Sequence, residues 1–438
     1  MDKDYGFKKV DDAGDTYICV ADSDTRAVMG AKTSRAPHLQ RRWDELMASN
    51  EGDHWPWGEP PEMVSKFLDK NLKQYMHSSI AEMAEVFVHS RGMGWPSAWL
   101  IEDNPLFVGQ EVSTRAVDVL EEDSDPCDFS DERLYGVHDK WLKLFSELKK
   151  SAGSNGYKFD DIRWALPGTT RSGVTMCNKV RDGVRHLEKI KALGQPFSDM
   201  ANNMLKGCKA YAPRATNAVL RGTRSAQSNW SVGDADDVER VRHGHYISIT
   251  KPKGSYSTCN GIEHRTGHRE YMDVAWKYHE PLIDVEIRCS VAAARDWHRH
   301  RAVMPWFLDV YVDDGKLVKF PTYDTSMLDE NLWEETSDKF IELYEDGSLP
   351  EFAALHALPF LATVKLRCRA SLPDLVYMLE LRYGSKGANP EYKLQAKQGL
   401  YELAHQLGPR ISNNEHILGI LQGKEPTDFS YIGNKGYI

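Results

Sequence analysis

Arg299, His300 and Arg301 occupy consecutive positions in RDWHRHRAVMPW (295–306). Two guanidiniums supply planar forks of donors that match carboxylates and phosphates. Between them sits the one side chain whose charge changes near neutral pH. Residue types alone leave four readings open: an anion site, a structural ion pair, half of an H-x-H metal pair through His298 and His300, or a solvated helical face. No nearby carboxylate or cysteine set completes a metal site. The flanks argue for burial, because the small, apolar SVAAA (290–294) precedes the triplet and AVMPWF follows it. Charges held against apolar surroundings need partners.

The elements that must position this triplet are legible from periodicity. LIDVEIRCSVAAARDWHRHR reads as a strand running into a helix. PDLVYMLELR (373–382) places Leu375, Met378, Leu379 and Arg382 on one helical face, with Pro373 suited to the first turn. KWLKLFSELKK (140–150) does the same with Trp141, Leu144, Phe145 and Leu148. KFIELYEDG (339–347) opens similarly and is expected to stop at Gly347 as a C-cap. Helix signals outnumber strand signals, which predicts an α+β class.

Composition narrows the function. The chain has 438 residues, 41% apolar and 27% charged, with a net charge of −10. That balance argues against a nucleic-acid polymer as partner, which would require a broad basic surface. Seven scattered cysteines form no C-x-x-C pair and predict free thiols in a reducing compartment. No apolar run is long enough to span a membrane, and the N-terminus lacks the apolar core of a signal peptide. The expectation is a soluble, cytoplasmic protein without membrane partners.

Fixed-offset similarity runs through the chain. AVMGAKTS (27–34) resembles AVLRGTRS (218–225), 191 residues on. His77 and Glu82 in HSSIAE are echoed by His268 and Asp273 in HREYMD, again 191 later. WALPGTT (164–170) pairs with HALPFLA (356–362) at 192, and YAPRAT (211–216) answers LGPRIS (407–412). These matches predict two tandem repeats, 1–210 and 211–438. No Gly/Ser-rich linker separates them, so they are expected to pack together.

The order of features resembles the flavin-dependent thymidylate synthases. Their signature is Arg-His-Arg, seven residues, then Ser, with a polar-acidic stretch before the Ser and an Arg two residues after it. An upstream His-x4-Glu block and a downstream Leu-Pro leading to a helix with functional arginines complete it. Neither half holds the whole signature. The second half keeps Arg299-His300-Arg301, but Asp309 stands at the Ser position and Tyr311 at the Arg position. The first half keeps Gln110, Glu111, Ser113 and Arg115, but Asp103-Asn104-Pro105 replaces the triplet. Arg163 precedes Leu166-Pro167 where the second half has Leu355. Arg382 stands where the first half has Ile190, and Arg181 where the second has Pro373 or a neighbour.

The resemblance implies two tandem thymidylate-synthase-like repeats, each a helix-rich layer on a mostly antiparallel sheet. It implies C5 one-carbon transfer to a pyrimidine deoxynucleoside monophosphate, dUMP or dCMP, with FAD as cofactor and methylenetetrahydrofolate as donor. NAD(P)H would be the reductant, and the product methyl or hydroxymethyl. Gln110, Glu111, Ser113, Arg115 and Arg163 would bind the nucleotide. Arg299 and Arg382 would polarise the pyrimidine ring. His77, Ser79, Glu82, Arg181, His300 and Arg301 would hold flavin or folate, with Ser34 and Ser225 as lesser flavin contacts. Family members are tetramers with sites shared between subunits, so a doubled chain implies a homodimer forming a pseudo-tetramer. The residues also have plainer uses: Arg115 in an ion pair with Asp118 or Glu111, Ser113 as a helix cap, His77 as an ordinary histidine. A catalytically silent nucleotide-binding or scaffold protein from the same stock is the second functional reading. Complementary rather than coincident losses favour the enzyme.

Overall fold

The computed structural model describes residues 6–20, 85–114, 117–122, 124–155, 159–211, 216–217, 219–220, 230–233, 238–250, 282–303, 306–384 and 389–407. Helices of eight residues or more are numbered. The first half of the chain runs β1 (Gly6–Lys9), β2 (Thr16–Val20), β3 (Glu85–Met93), α1 (Trp95–Glu102), β4 (Gly109–Glu111), α2 (Tyr135–Asn155), β5 (Ser172–Lys179), α3 (Val180–Lys191) and α4 (Phe197–Tyr211). The second runs β6 (Trp230–Gly233), β7 (Ile247–Thr250), β8 (Ile283–Ser290), α5 (Val291–His298), β9 (Phe307–Asp313), β10 (Lys316–Leu317), α6 (Glu330–Glu345), β11 (Thr363–Ala370), α7 (Leu372–Gly384) and α8 (Pro390–Leu407).

Contacts divide the chain into two units. One takes Met1–Ser228 with Met327–Pro359, and the other takes Asn229–Ser326 with Phe360–Ile438. The first unit holds a sheet in the order β1-β2-β3-β5-β4, with every neighbour antiparallel. The second holds β10-β9-β11-β8-β7, also antiparallel, with β6 added in parallel beside β9. Mixed helix and antiparallel sheet agree with the α+β class. Among the described residues no helix is long and apolar enough to cross a membrane.

Like elements follow one another in like order. β3, α1, β4, α2, a 3-10 turn (Arg163–Ala165) before Leu166-Pro167, β5, α3 and α4 fill the first series. β8, α5, β9, α6, a 3-10 turn (Glu351–Ala357) before Leu358-Pro359, β11, α7 and α8 fill the second. Strand order also agrees, β4-β5-β3-β2 in one sheet and β9-β11-β8-β7 in the other. The turns close alike: the Leu166 N–H donates to Arg163 O and the Leu358 N–H to Leu355 O, both at 3.1 Å.

Local causes are plain. In β8, burial alternates over Ile283–Ile287, with Asp284 exposed, and becomes continuous from Ile287 to Ser290 as the strand approaches α5. Ser290 ends it and caps α5, its Oγ accepting from the Ala293 N–H at 3.1 Å. Every residue of α5 is buried. In α7, Leu375, Met378 and Leu379 are buried on the expected face.

In the first unit α2 packs on α6. The Trp141 Nε1–H donates to Thr336 Oγ1 at 2.9 Å, and the Trp141 and Trp333 rings meet edge to face at 6.2 Å. α6 ends at Glu345 with Asp346 at its C-cap, and beyond the helix Asp346 Oδ1 accepts the Ser348 N–H at 3.0 Å. Gly347 follows without a left-handed φ, so the expected glycine cap does not form. Glycine is required at Gly168 instead: a Cβ there would lie 2.3 Å from Leu358 O and 2.6 Å from His356 O. The two Leu-Pro turns therefore meet backbone to backbone.

Candidate functional site

The second unit builds the cationic cluster. α5 carries its charged end out of a buried, alanine-rich run, and Arg299 is its C-cap. Cations at a helix C-terminus face the negative end of the helix dipole. Beyond the cap, the His300 N–H donates to Trp297 O at 3.1 Å and the Arg301 N–H to Arg299 O at 3.1 Å. A single 3-10 turn, Arg301–Val303, follows. His300 is buried, whereas Arg299 and Arg301 are half-buried. The solvated-face reading of the triplet is thereby corrected: Ala292–Ala294, Trp297, Val303 and Trp306 bury its surroundings.

Arg382 enters from α7. Its Nε–H donates to His300 Nε2 at 2.7 Å, and its Nη2 to the Asp296 carbonyl at 2.8 Å. The guanidinium carbon stands 5.2 Å from the Tyr392 ring centroid, in reach of a cation–π contact. Among the described residues Arg382 has no further hydrogen bond, so its Nη1 donors have no acceptor there. Burial lowers the Arg382 pKa, and Arg299 lowers it further as a like charge, against Asp296 which raises it. Burial also holds His300 well below the usual imidazole range, reinforced by Arg382 and Arg301 and opposed by Asp296. The Arg382 guanidinium thus meets one neutral imidazole, with Arg299, Arg301 and the buried Asp296 near enough to act on the pair by charge, a setting that favours an arriving anion or an electron-rich carbonyl oxygen.

Behind the cluster, Trp297 is fixed by donating its Nε1–H to Gln395 Oε1 at 2.7 Å. Tyr377 meets the His300 ring nearly perpendicularly, at 6.4 Å. Asp296, Tyr377, Tyr392 and Gln395 were not among the expected site residues. The available hints were an acid one helical turn before His300 and an i, i+4 Glu391/Gln395 pair.

The other expected residues divide by unit. Arg163 lies in the first unit, 2% exposed, with its Nε 3.6 Å from Asp160 Oδ1. Glu111 is buried at the end of β4 and accepts the Ser172 hydroxyl at 3.2 Å. Gln110 beside it is exposed. Ser113 is half-buried, its carbonyl accepting the Val117 N–H at 3.0 Å. Arg181 is half-buried in the first turn of α3. Arg115, His77, Ser79, Glu82, Ser34 and Ser225 lie outside the described residues.

The positions that the fixed-offset similarity pairs with Arg382 and Arg163 are apolar, and Asp309 is held by a cation. Ile190 on α3 is 2% exposed and Leu355 fully buried. Asp309 on β9 accepts the Ser231 hydroxyl at 2.6 Å and both Nε and Nη2 of Arg367 at 2.8 and 2.9 Å. A carboxylate there neutralises Arg367 and repels a phosphate. Among the described residues no group of three or more His, Cys, Asp or Glu is placed to hold a metal ion. No family model and no characterised protein matches this chain.

Proposed function

We propose that the chain is a flavin-dependent enzyme that transfers a one-carbon unit to C5 of a pyrimidine deoxynucleoside monophosphate, dUMP in the first instance. Two diverged copies of one unit supply complementary parts of a single kind of site. The shared element and strand order supports the duplication. So do the Leu-Pro turns, 192 residues apart and closed by the same hydrogen bond.

The observation that carries the catalytic reading is the fixed Arg382 guanidinium. Two acceptors orient it while its Nη1 meets no acceptor among the described residues, and Arg299 lies close enough to depress its pKa. A uracil C5 becomes nucleophilic when charge developing on the ring carbonyls is stabilised, and Arg299 with Arg382 are the residues for that task. They act as cations and donors, never as bases, because a guanidinium keeps its proton. As C5 bonds to the one-carbon unit its proton must leave, and since the arginines cannot take it, it passes to water. Hydride then completes a methyl group, or water a hydroxymethyl group.

Recognition of the nucleotide phosphate belongs to the first repeat, through Ser113, Arg115 and Arg163, with Gln110 and Glu111 beside them. Asp309 supports this division, since its carboxylate already accepts from Arg367 and Ser231 where the second repeat would otherwise meet a phosphate. FAD, when bound, supplies reducing equivalents and relays the one-carbon unit. Arg181 and Arg301, both partly open to solvent, suit its pyrophosphate by charge. His77, Ser79 and Glu82 are proposed to contribute from the first repeat. Methylenetetrahydrofolate is the proposed donor and NAD(P)H the reductant. A homodimer restores the pseudo-tetramer.

The test is to incubate FAD-loaded protein with dUMP or dCMP, methylenetetrahydrofolate and NAD(P)H, and to weigh the nucleotide product. A mass gain matching methyl or hydroxymethyl is expected. A protein that refuses FAD and leaves both nucleotides unchanged sinks the proposal.

A further inference from the structure

We infer that His300 is a positioning residue: a neutral imidazole whose bare Nε2 fixes the plane of the Arg382 guanidinium, rather than a cationic contact to flavin or folate. The inference rests on the proposal that Arg382 addresses the pyrimidine.

The hydrogen bond itself sets the tautomer. Arg382 Nε lies 2.7 Å from His300 Nε2, and a guanidinium nitrogen can only donate. Nε2 therefore accepts, and the imidazole proton sits on Nδ1. An imidazolium would set two N–H groups against each other at that distance. It would also place a further positive charge beside Arg382 and Arg301, with Asp296 the opposing carboxylate. Trp297 at 6.1 Å and Tyr377 at 6.4 Å flank the ring, and the His300 backbone N–H is bound to Trp297 O.

The result is a two-point mount. His300 takes Nε–H and the Asp296 carbonyl takes Nη2, while Nη1 makes no hydrogen bond to a described residue. A planar donor held at two corners loses little freedom when it meets a ring carbonyl. The triplet thus divides its labour, with the arginines supplying charge and the histidine supplying aim.

Four variants separate the possibilities: His300→Gln, His300→Asn, His300→Leu and Arg382→Ala. A glutamine can bring its amide oxygen to where Nε2 stands, whereas the asparagine oxygen falls one bond short. His300→Gln should keep turnover of dUMP within about threefold of wild type, while His300→Asn and His300→Leu lose roughly ten- to a hundredfold. The loss should fall on kcat more than on KM, and FAD binding should be unchanged throughout. Nitrogen-15 spectra of histidine-labelled protein should show Nε2 unprotonated from pH 8 down to pH 5, whether or not the protein is active. A protonated Nε2, or equal activity of the Asn and Gln variants, overturns the inference. If Arg382→Ala turns over dUMP like wild type, the proposed role of Arg382 fails instead. A tautomer as inferred would then still record the mount.

Discussion

Ser290 gives Glu391 two hydrogen bonds: its N–H reaches Oε1 at 2.8 Å and its hydroxyl reaches Oε2 at 2.6 Å. The same serine oxygen caps α5, so the helix that ends at Arg299 is tied at its start to the first turn of α8. Tyr323 and Gln395 add donors to the same buried carboxylate, at 2.6 and 2.9 Å.

Removing that carboxylate should be costly. Glu391→Ala strands the Ser290 N–H and the Tyr323 hydroxyl and is expected to cost about 3 kcal/mol. Glu391→Gln should cost less. Burial raises the Glu391 pKa against the pull of its donors, so the folded state holds the proton more tightly than the unfolded chain. Its contribution is fully present below the unfolded pKa and is lost as pH rises through the folded one. Urea titrations at pH 5 and pH 8 should show wild type losing ground to Glu391→Gln at the higher pH. An unchanged gap would contradict this.

Trp141 should anchor the α2–α6 contact. Trp141→Ala removes a fully buried indole, its bond to Thr336 and its edge contact with Trp333. The expected loss is about 3–5 kcal/mol. Trp141→Phe should cost less, since Thr336 Oγ1 still donates to Leu332 O at 2.6 Å. The surface pairs around the same contact, such as Lys140–Glu335 at 2.5 Å, should contribute less than about 1 kcal/mol each. Chemical denaturation of Trp141→Ala, Trp141→Phe and Lys140→Ala checks the ranking.

Acid should weaken the first unit through His89. This histidine is fully buried in β3, bonded to Thr175 Oγ1 at 2.8 Å, and burial pushes its pKa down to about 3, with Arg91 helping. The unfolded chain takes up the proton near pH 6.5 and the folded chain does not until about 3. Stability is therefore whole above pH 6.5 and falls by up to about 1.4 kcal/mol per pH unit between those values. His89→Gln should flatten that slope in denaturation curves taken from pH 7 to pH 4. A slope identical to wild type would show that His89 contributes nothing to it.

Periodicity exposed what short-range forces decide. The strand-to-helix passage through Ser290, the buried face of α7 and the burial of the triplet's flanks all follow from local pattern, and the structure has them. The partners were not legible, because tertiary adjacency sets them. Nothing near Arg163 in the motif marks Asp160 as its counter-ion, although the two are three residues apart. Asp309 reads in sequence as a missing serine, yet in the fold it is the carboxylate that Arg367 and Ser231 hold. His300 reads by type as a cation, and only Arg382, 82 residues away, makes it an acceptor. Asp346 stands at the cap assigned to Gly347, and the glycine beside it does not adopt the left-handed conformation that a glycine cap uses.

The claim of one kind of site assembled from both repeats is tested most directly by titrating dUMP into the FAD-loaded protein in a calorimeter. One nucleotide per chain is expected, and Arg163→Ala or Arg382→Ala, in different units, should each abolish or severely weaken it. Two equivalent nucleotides per chain, or full binding by either variant, would contradict the account.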